Sequence, residues 1–143
     1  FSGYYGKPEA TEEVFVDGWF RTGDIVTIDD GGFVRIVDRI KELIITGGFN
    51  VAPTEVENVL RQHPSIADVA VVGLPSEHSG EEVVAAVVPS TPGEFDAEAV
   101  RAFARGILTP YKVPKQIVVV DELPRSLIGK VLRRQVRDRL LAD

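Results

Sequence analysis

From residue 43 onward, short runs of β-branched residues alternate with helical patterns, and this order restricts the possible folds more than any other feature. The first run, residues 43–46, is followed by Gly47 and Gly48, a dipeptide that favours a tight hairpin turn. Further strands are predicted at residues 49–51, 69–73, 83–88 and 117–120. Strands and helices mixed in this way predict an α+β fold, in which helices pack on a small sheet.

Three helices are predicted among these strands. Pro53 opens the first, and Thr54 and Glu57 have the spacing of a capping box. Asp96 is the predicted N-cap of the second helix, and the third is predicted to span residues 130–141. Apolar residues recur at helical spacing in each. Those predicted to face the core are Val56, Val59, Leu60, Val100, Phe103, Ala104, Ile107, Leu132, Val136 and Leu140.

The pattern before residue 39 is different. Residues 1 to about 24 read as loop and short helix. Four aromatic residues are interpreted as packing residues: Trp19, Phe20, Phe33 and Phe103. The runs 25–28 and 33–37 flank an Asp-Asp-Gly-Gly turn, which predicts a β-hairpin. We therefore predict two domains, residues 1–38 and 39–143. The chain starts without an initiator Met, and we interpret it as a piece of a longer protein.

The composition excludes several kinds of site. The 143 residues contain no cysteine, which excludes disulfides, cysteine-based zinc sites and a cysteine nucleophile. Two separated histidines predict no metal site. No apolar run approaches the roughly 18 residues of a transmembrane helix, so a cytoplasmic protein is predicted. The net charge of −6 disfavours nucleic acid as a partner, and the basic segment 133–139 lacks an aromatic platform.

A lysine behind a glycine lies in a loop near the C-terminus, between an apolar strand and a basic helix. Gly129 and Lys130 in this setting can hold an ammonium group on a mobile arm, where it could meet a phosphate or a carboxylate. Taken alone, Lys130 is better explained as a helix-start lysine on a solvated basic face with Arg125, Arg133 and Arg134. Lys130 belongs to the last of three sequence segments that occur in this order along the chain: GWFRTGD at 18–24, the stretch 38–57, and LPRSLIGK at 123–130.

Together these segments resemble the C-terminal part of the adenylate-forming superfamily, which includes acyl- and aryl-CoA synthetases, peptide-synthetase adenylation domains and luciferases. The resemblance implies a fragment of an ATP-dependent acid–CoA ligase that forms acyl-AMP and then acyl-CoA. Residues 39–143 would be its mobile C-terminal lid, and residues 1–38 the last piece of its large N-terminal domain. The pair Leu127-Ile128 resembles medium- and long-chain fatty-acid–CoA ligases. The fragment is expected to be inactive alone.

The resemblance also implies roles for single residues. Lys130 matches the lysine of the adenylation half-reaction, Asp24 the aspartate that binds the ribose of ATP or AMP, and Arg39 an arginine that contacts the nucleotide. The alternatives are a turn aspartate for Asp24, and for Arg39 a salt bridge to Asp38 or Glu42.

Lys41 matches the hinge position, where lysine resembles CoA ligases more than peptide-synthetase domains; an ordinary linker charge is the alternative. Gly47 and Gly48, with Asn50 as a weaker companion, match the hairpin that lines the pantetheine tunnel of CoA after the lid rotates. A plain hairpin turn explains both glycines as well.

The resemblance implies ATP, CoA and a carboxylic acid as substrates, the missing N-terminal domain as a partner, and Mg²⁺ in the parent enzyme with ligands outside this chain. Two other functions stay open. The parent could load a carrier protein instead of CoA, or the α+β unit could be a non-catalytic metabolite-binding module. The acyl pocket lies outside the sequence, so the acid is open as well.

Overall fold

The computed structural model describes residues 1–142. The chain divides into two compact units, residues 1–41 and the residues from 42 onward. The second unit is a small sheet with packed helices, which confirms the predicted α+β class. No helix within residues 1–142 combines the length and the apolar character needed to cross a membrane.

The first unit consists of one short helix and two two-stranded ribbons. Helix α1 spans Pro8–Val14, and strands β1 (Phe15–Val16) and β2 (Trp19–Phe20) form the first ribbon. Strands β3 (Asp24–Ile28) and β4 (Val34–Arg39) form the predicted hairpin, whose turn is closed by Asp29. The Asp29 carboxylate accepts hydrogen bonds from the N–H groups of Gly31 and Phe33, both at 3.0 Å, so the turn is fixed by its own side chain.

The second unit is built around one long antiparallel ribbon. Strands β7 (Ile66–Ser76) and β8 (Gly80–Pro89) pair along their whole length. The short hairpin of β5 (Ile44–Thr46) and β6 (Phe49–Val51) joins the beginning of β8, and β9 (Gln116–Val119) runs parallel to its second half. All the predicted strands are confirmed, and β7 and β8 are several residues longer than predicted.

Helices cover both faces of this ribbon. Helices α2 (Pro53–Leu60) and α3 (Ala97–Arg105) lie over one face, and α4 (Arg133–Ala142) lies over the other. Odd-numbered residues such as Val69 and Val71 belong to the first core, and even-numbered ones such as Ala70 and Val72 belong to the second. Both strands are therefore continuous apolar runs, because successive side chains point to opposite, covered faces.

Of the two predictions about helix starts, the one for α3 is confirmed and the one for α2 is wrong. The Asp96 carboxylate accepts hydrogen bonds from the N–H groups of Glu98 and Ala99, which confirms it as the N-cap of α3. The capping box of Thr54 and Glu57 is wrong, because Pro53 is already the first residue of α2 and its preset φ starts the helix without a side-chain cap.

Other predicted positions also differ from the structure. The last helix begins at Arg133, three residues later than predicted, because residues 124–132 form a hydrogen-bonded turn instead. Ile107 lies beyond the end of α3 and is 53% exposed. Trp19 and Phe33, interpreted as packing residues, are 80% and 75% exposed. These two lack cover among residues 1–142 because they lie on thin two-stranded ribbons or their turns.

Candidate functional site

Asp24 and Arg39 face each other across the first hairpin. They are direct partners in the register of β3 and β4, and Arg39 Nε lies 3.2 Å from Asp24 Oδ1. This distance makes an ion pair, but the Asp24 oxygen accepts no hydrogen bond from residues 1–142. The Arg39 side chain is 62% exposed, whereas that of Asp24 is 14% exposed. Asp24 Oδ1 is itself a buried atom, so the pair presents the exposed guanidinium fork of Arg39 to a ligand.

The ion-pair partner of Arg39 differs from those named in the alternative explanation. Its side chain pairs with Asp24 and not with Asp38 or Glu42, although the Arg39 N–H donates to the Asp38 carboxylate at 2.8 Å. The two residues assigned to the nucleotide by resemblance are thus neighbours on one hairpin.

Lys41 lies between two residues that are fixed to different units. It is the exposed middle residue of a 3₁₀ turn, Ile40–Glu42. The Ile40 N–H donates to the Gly23 carbonyl at 2.9 Å, within the first unit. The Glu42 carboxylate forms an ion pair with Arg133, within the second unit. Lys41 is therefore the residue between the last anchor of the first unit and the first anchor of the second.

Gly47 and Gly48 form the turn of the β5–β6 hairpin. Their φ angles are +56° and +83°, a combination that a type I′ two-residue hairpin turn requires and that most side chains disfavour. A Cβ added at either position would meet no atom within 4 Å, so the space above the turn is open. Asn50 is exposed and pairs with Ile45 in the same hairpin. The three predicted residues therefore lie together on one open surface.

Lys130 lies on a tight turn whose backbone is fixed by hydrogen bonds. The Lys130 carbonyl accepts from the Ser126 N–H at 2.8 Å, and its own N–H donates to Ser126 Oγ at 3.1 Å. Gly129 supplies the positive φ of +79° that closes the turn. The Lys130 side chain is exposed and, within residues 1–142, has no hydrogen-bond or ion-pair partner. The Lys130 ammonium group is therefore exposed, and the backbone that carries it is held in one conformation.

The turn is held to the sheet by Arg125. Its guanidinium donates to the Gly129 carbonyl at 2.5 Å and forms an ion pair with Asp68 in β7. Leu127 and Ile128 at the tip are 109% and 87% exposed. An apolar tip held in this way is available to a surface outside the described chain.

Lys130 and the glycine turn are fastened to opposite ends of the β7–β8 ribbon. The Lys130 turn is anchored at Asp68, whose partner is Val88, whereas the Gly47 N–H donates to the Ser79 carbonyl beside Gly80. At 3.3 Å per residue, the two anchors are about 25 Å apart along β8. The structure therefore does not bring Lys130 and Gly47 into one site.

Arg133 and Glu57 form a buried ion pair that the sequence patterns did not indicate. Glu57 is 4% exposed, and Arg133 donates to both of its carboxylate oxygens at 2.8 Å. Arg133 also donates to Thr54 Oγ1 at 2.8 Å and to Glu42. Burial acts to lower the pKa of Arg133, but the hydrogen bonds and charges of Glu57 and Glu42 raise it well above its usual value. The only sequence feature that could have indicated this pair is the position of Arg133 at the start of a helix, directly after the Lys130 turn.

No group of three or more His, Asp or Glu side chains within residues 1–142 is arranged to hold a metal ion. The carboxylates near the candidate sites have protein partners instead, such as Arg39 for Asp24 and Arg133 for Glu42. The residues present do not fit a resident Mg²⁺, and no chemical step on this chain is assigned to one.

Comparison with known proteins identifies the family. The AMP-binding enzyme C-terminal domain family matches residues 55–130. The long-chain-fatty-acid–CoA ligase of Salmonella typhimurium is 51% identical over 136 residues, which is 95% of this chain and 24% of the ligase. This chain thus spans about a quarter of that relative.

Two solved structures agree with this result. ATP-bound MatB from Rhodopseudomonas palustris has a TM-score of 0.91 and 41% identity over 97% of this chain and 28% of its own. The o-succinylbenzoate CoA synthetase of Bacillus subtilis, in complex with its acyl-adenylate intermediate, has a TM-score of 0.84 and 37% identity over 95% of this chain and 28% of its own. The resemblance to adenylate-forming enzymes is confirmed, and the chain belongs to the AMP-binding enzyme C-terminal domain family.

Proposed function

We propose that this chain is the mobile C-terminal lid, with the end of the N-terminal domain, of an ATP-dependent acid–CoA ligase. One observation carries the proposal: the Lys130 ammonium is exposed and free of partners within residues 1–142, on a turn fixed by hydrogen bonds at Ser126 and Arg125. A lysine on a solvated basic face has no need of such a turn.

Lys130 would act in the first half-reaction. A carboxylate oxygen of the acid attacks the α-phosphorus of ATP, a new O–P bond forms, and the bond to pyrophosphate breaks. Two anions approach each other and negative charge increases on the phosphoryl oxygens. A preorganised ammonium beside both offsets this repulsion, and loss of such a group commonly costs about 100- to 1000-fold in rate.

Asp24 and Arg39 would hold the nucleotide. Asp24 would accept a hydrogen bond from a ribose hydroxyl through its carboxylate, and the exposed Arg39 fork can donate to ribose or phosphate oxygens. Because their hairpin belongs to residues 1–41, the nucleotide would stay on this side of the hinge while the lid moves.

The glycine turn would act in the second half-reaction. The CoA thiolate attacks the acyl carbonyl, a C–S bond forms, and AMP leaves with the carboxyl oxygen. Gly47 and Gly48 leave the turn surface free of side chains, so the pantetheine arm can pass close to the backbone beside Asn50. This chain contains no cysteine, and the thiol proposed for this step is that of CoA.

Two chemistries at opposite ends of one ribbon require the lid to change its orientation between them. Lys41 is suited to this change because its neighbours, Ile40 and Glu42, are anchored in different units. The lid would withdraw Lys130 and present Gly47 and Gly48 by rotating near this residue, which is a hinge motion between two packings. We therefore propose that the two domains, predicted from the sequence as residues 1–38 and 39–143, divide at this hinge, where the first compact unit of the structure ends.

The acid proposed is a medium- or long-chain fatty acid, supported by the name of the Salmonella relative and by the apolar tip of Leu127 and Ile128. Mg²⁺ would be bound by the N-terminal domain with ATP. The test is conversion of ATP to AMP and pyrophosphate by the full-length protein with a series of acids. The proposal expects acyl-CoA when CoA is added, and transfer only to a phosphopantetheinyl carrier protein would contradict it.

A further inference from the structure

Arg133 connects the Lys130 turn to the hinge. It is the first residue of α4 and lies three positions after Lys130. Its guanidinium is held by Glu57 and Thr54 in α2 and by Glu42, the residue next to Lys41. One side chain thus connects the turn that carries Lys130 with helix α2 and with Glu42, the residue that follows the hinge position.

The hold on Arg133 is rigid because several contacts fix it at once. Glu57 receives the guanidinium as a fork, with both hydrogen bonds at 2.8 Å, and its Oε1 also accepts the Val71 N–H at 3.0 Å. The carboxylate is therefore tied to the central ribbon as well as to α2. A planar fork on a fixed carboxylate leaves Arg133 little freedom to rotate, which a lysine ammonium does not reproduce.

The Lys130 turn is also held by the ion pair of Arg125 and Asp68, which is more exposed than the contacts of Arg133 with Glu57. Arg125 and Asp68 form their ion pair at the surface, with side chains 46% and 23% exposed. Exposed pairs of this kind contribute little to rigidity. On the other side of Lys130, Val131 pairs with Arg125 and the Leu132 N–H donates to the Pro124 carbonyl. The Lys130 turn is therefore continuous with Arg133, whose buried contacts hold it in addition to the exposed pair of Arg125 and Asp68.

We propose that Arg133 is a positioning residue for Lys130, which clamps the hinge flank at Glu42 and the Lys130 turn into one rigid body. The inference rests on the proposed role of Lys130 in adenylation. Rotation near Lys41 then moves Lys130 while keeping its position relative to Glu42 fixed. If the Arg133 contacts are weakened, the Lys130 ammonium is no longer held beside the phosphoryl group. Misplacement of a catalytic group by about 1 Å can cost on the order of 100-fold in rate.

The test is a double-mutant cycle on adenylation in the full-length protein. Arg133→Lys keeps the charge and loses the fork, and Arg134→Lys is the matched control because Arg134 is the exposed next residue. Pyrophosphate release without CoA is expected to fall about 10- to 100-fold in Arg133→Lys, mostly in kcat, and less than about twofold in Arg134→Lys. Acyl-CoA formation from supplied acyl-AMP is expected to stay within about threefold of the wild type.

The cycle with Lys130→Ala separates positioning from general stability. If Arg133 acts through Lys130, Arg133→Lys adds less than about twofold to the loss already caused by Lys130→Ala. Multiplied losses, or equal losses in both half-reactions, would overturn the inference while leaving the role of Lys130 intact. Unchanged adenylation in Lys130→Ala alone would instead overturn the proposed function.

A second variant tests the hinge flank without disturbing the buried pair. Glu42 is 40% exposed, and Glu42→Gln weakens only its bond to Arg133. The expected result is a several-fold loss in adenylation that also disappears on the Lys130→Ala background. Thermal melting of each variant shows whether it is folded, and if Arg133→Lys does not fold, the Glu42→Gln cycle decides the inference.

Discussion

Glu57 accepts a hydrogen bond from the backbone N–H of Val71, 3.0 Å away, and thereby covers an edge of the sheet. Strand β7 has no strand partner on this side within residues 1–142, and Arg61 donates to the Val69 carbonyl next to it at 3.3 Å. Two side chains from α2 and its C-terminal end thus take the place of a neighbouring strand. Such cover prevents an apolar strand of this length from pairing with another chain.

The first prediction follows from this contact. Glu57→Ala leaves the Val71 N–H without its acceptor and Arg133 without its fork, so the free energy of unfolding is expected to fall by about 3–5 kcal/mol. Urea unfolding of this chain measures the change. Glu55→Ala is the control, because Glu55 is 46% exposed on the same helix and pairs only with Lys112. It is expected to cost about 1 kcal/mol or less, and equal losses in both variants would contradict the account.

The second prediction concerns the open surface above the glycine turn. Asparagine tolerates positive φ better than most residues, so Gly48→Asn is expected to keep the free energy of unfolding within about 1 kcal/mol. The new side chain projects into the space proposed for pantetheine. In the full-length protein, acyl-CoA formation from supplied acyl-AMP is expected to fall about tenfold or more, with pyrophosphate release unchanged. A plain turn, the alternative, predicts that neither rate changes.

The third prediction tests nucleotide binding at the first hairpin. Asp24→Asn removes the carboxylate charge from the ion pair with Arg39, and the KM for ATP of the full-length protein is expected to rise about tenfold or more. The KM for CoA is expected to stay the same. Asp30→Asn, in the exposed turn of the same hairpin, is the control and should change neither constant. A turn-only role for Asp24 would make the two variants alike.

The fourth prediction concerns the hinge. Proline fixes its own φ near −65° and restricts the residue before it, so Lys41→Pro limits both Lys41 and Ile40. Acyl-CoA formation from supplied acyl-AMP is expected to slow about tenfold or more in the full-length protein, with adenylation changed less than about threefold. Lys41→Ala removes the charge but keeps the backbone freedom, and both rates should stay close to wild type. A linker charge without a hinge role predicts the same kinetics for both variants.

The parts of the fold that could be predicted are those with local causes. The turn at Gly47 and Gly48 needs positive φ, and the Asp96 cap reaches N–H groups only two and three residues away. Each of these features is encoded within a short stretch of chain.

The features that could not be predicted depend on distant partners. Glu57 and Thr54 have capping spacing, but Pro53 starts the helix, and Arg133, 76 residues from Glu57, takes both side chains as acceptors. The delayed start of α4 at Arg133 has a similar cause, because Pro124 and Ser126 hydrogen-bond residues 129–132 into a turn. No local pattern reveals such pairings, since their partners meet only after the sheet has formed.

The measurement that tests the central claim most directly is the separation of the two half-reactions in a Lys130→Ala variant of the full-length protein. Pyrophosphate release with acid and ATP is expected to fall by about 100-fold or more, while acyl-CoA formation from supplied acyl-AMP stays within about threefold of the wild type. Arg139→Ala, an exposed cation on the same terminal helix, should leave both rates unchanged. Equal loss of both half-reactions, or undiminished pyrophosphate release, would contradict the assignment of Lys130 to adenylation.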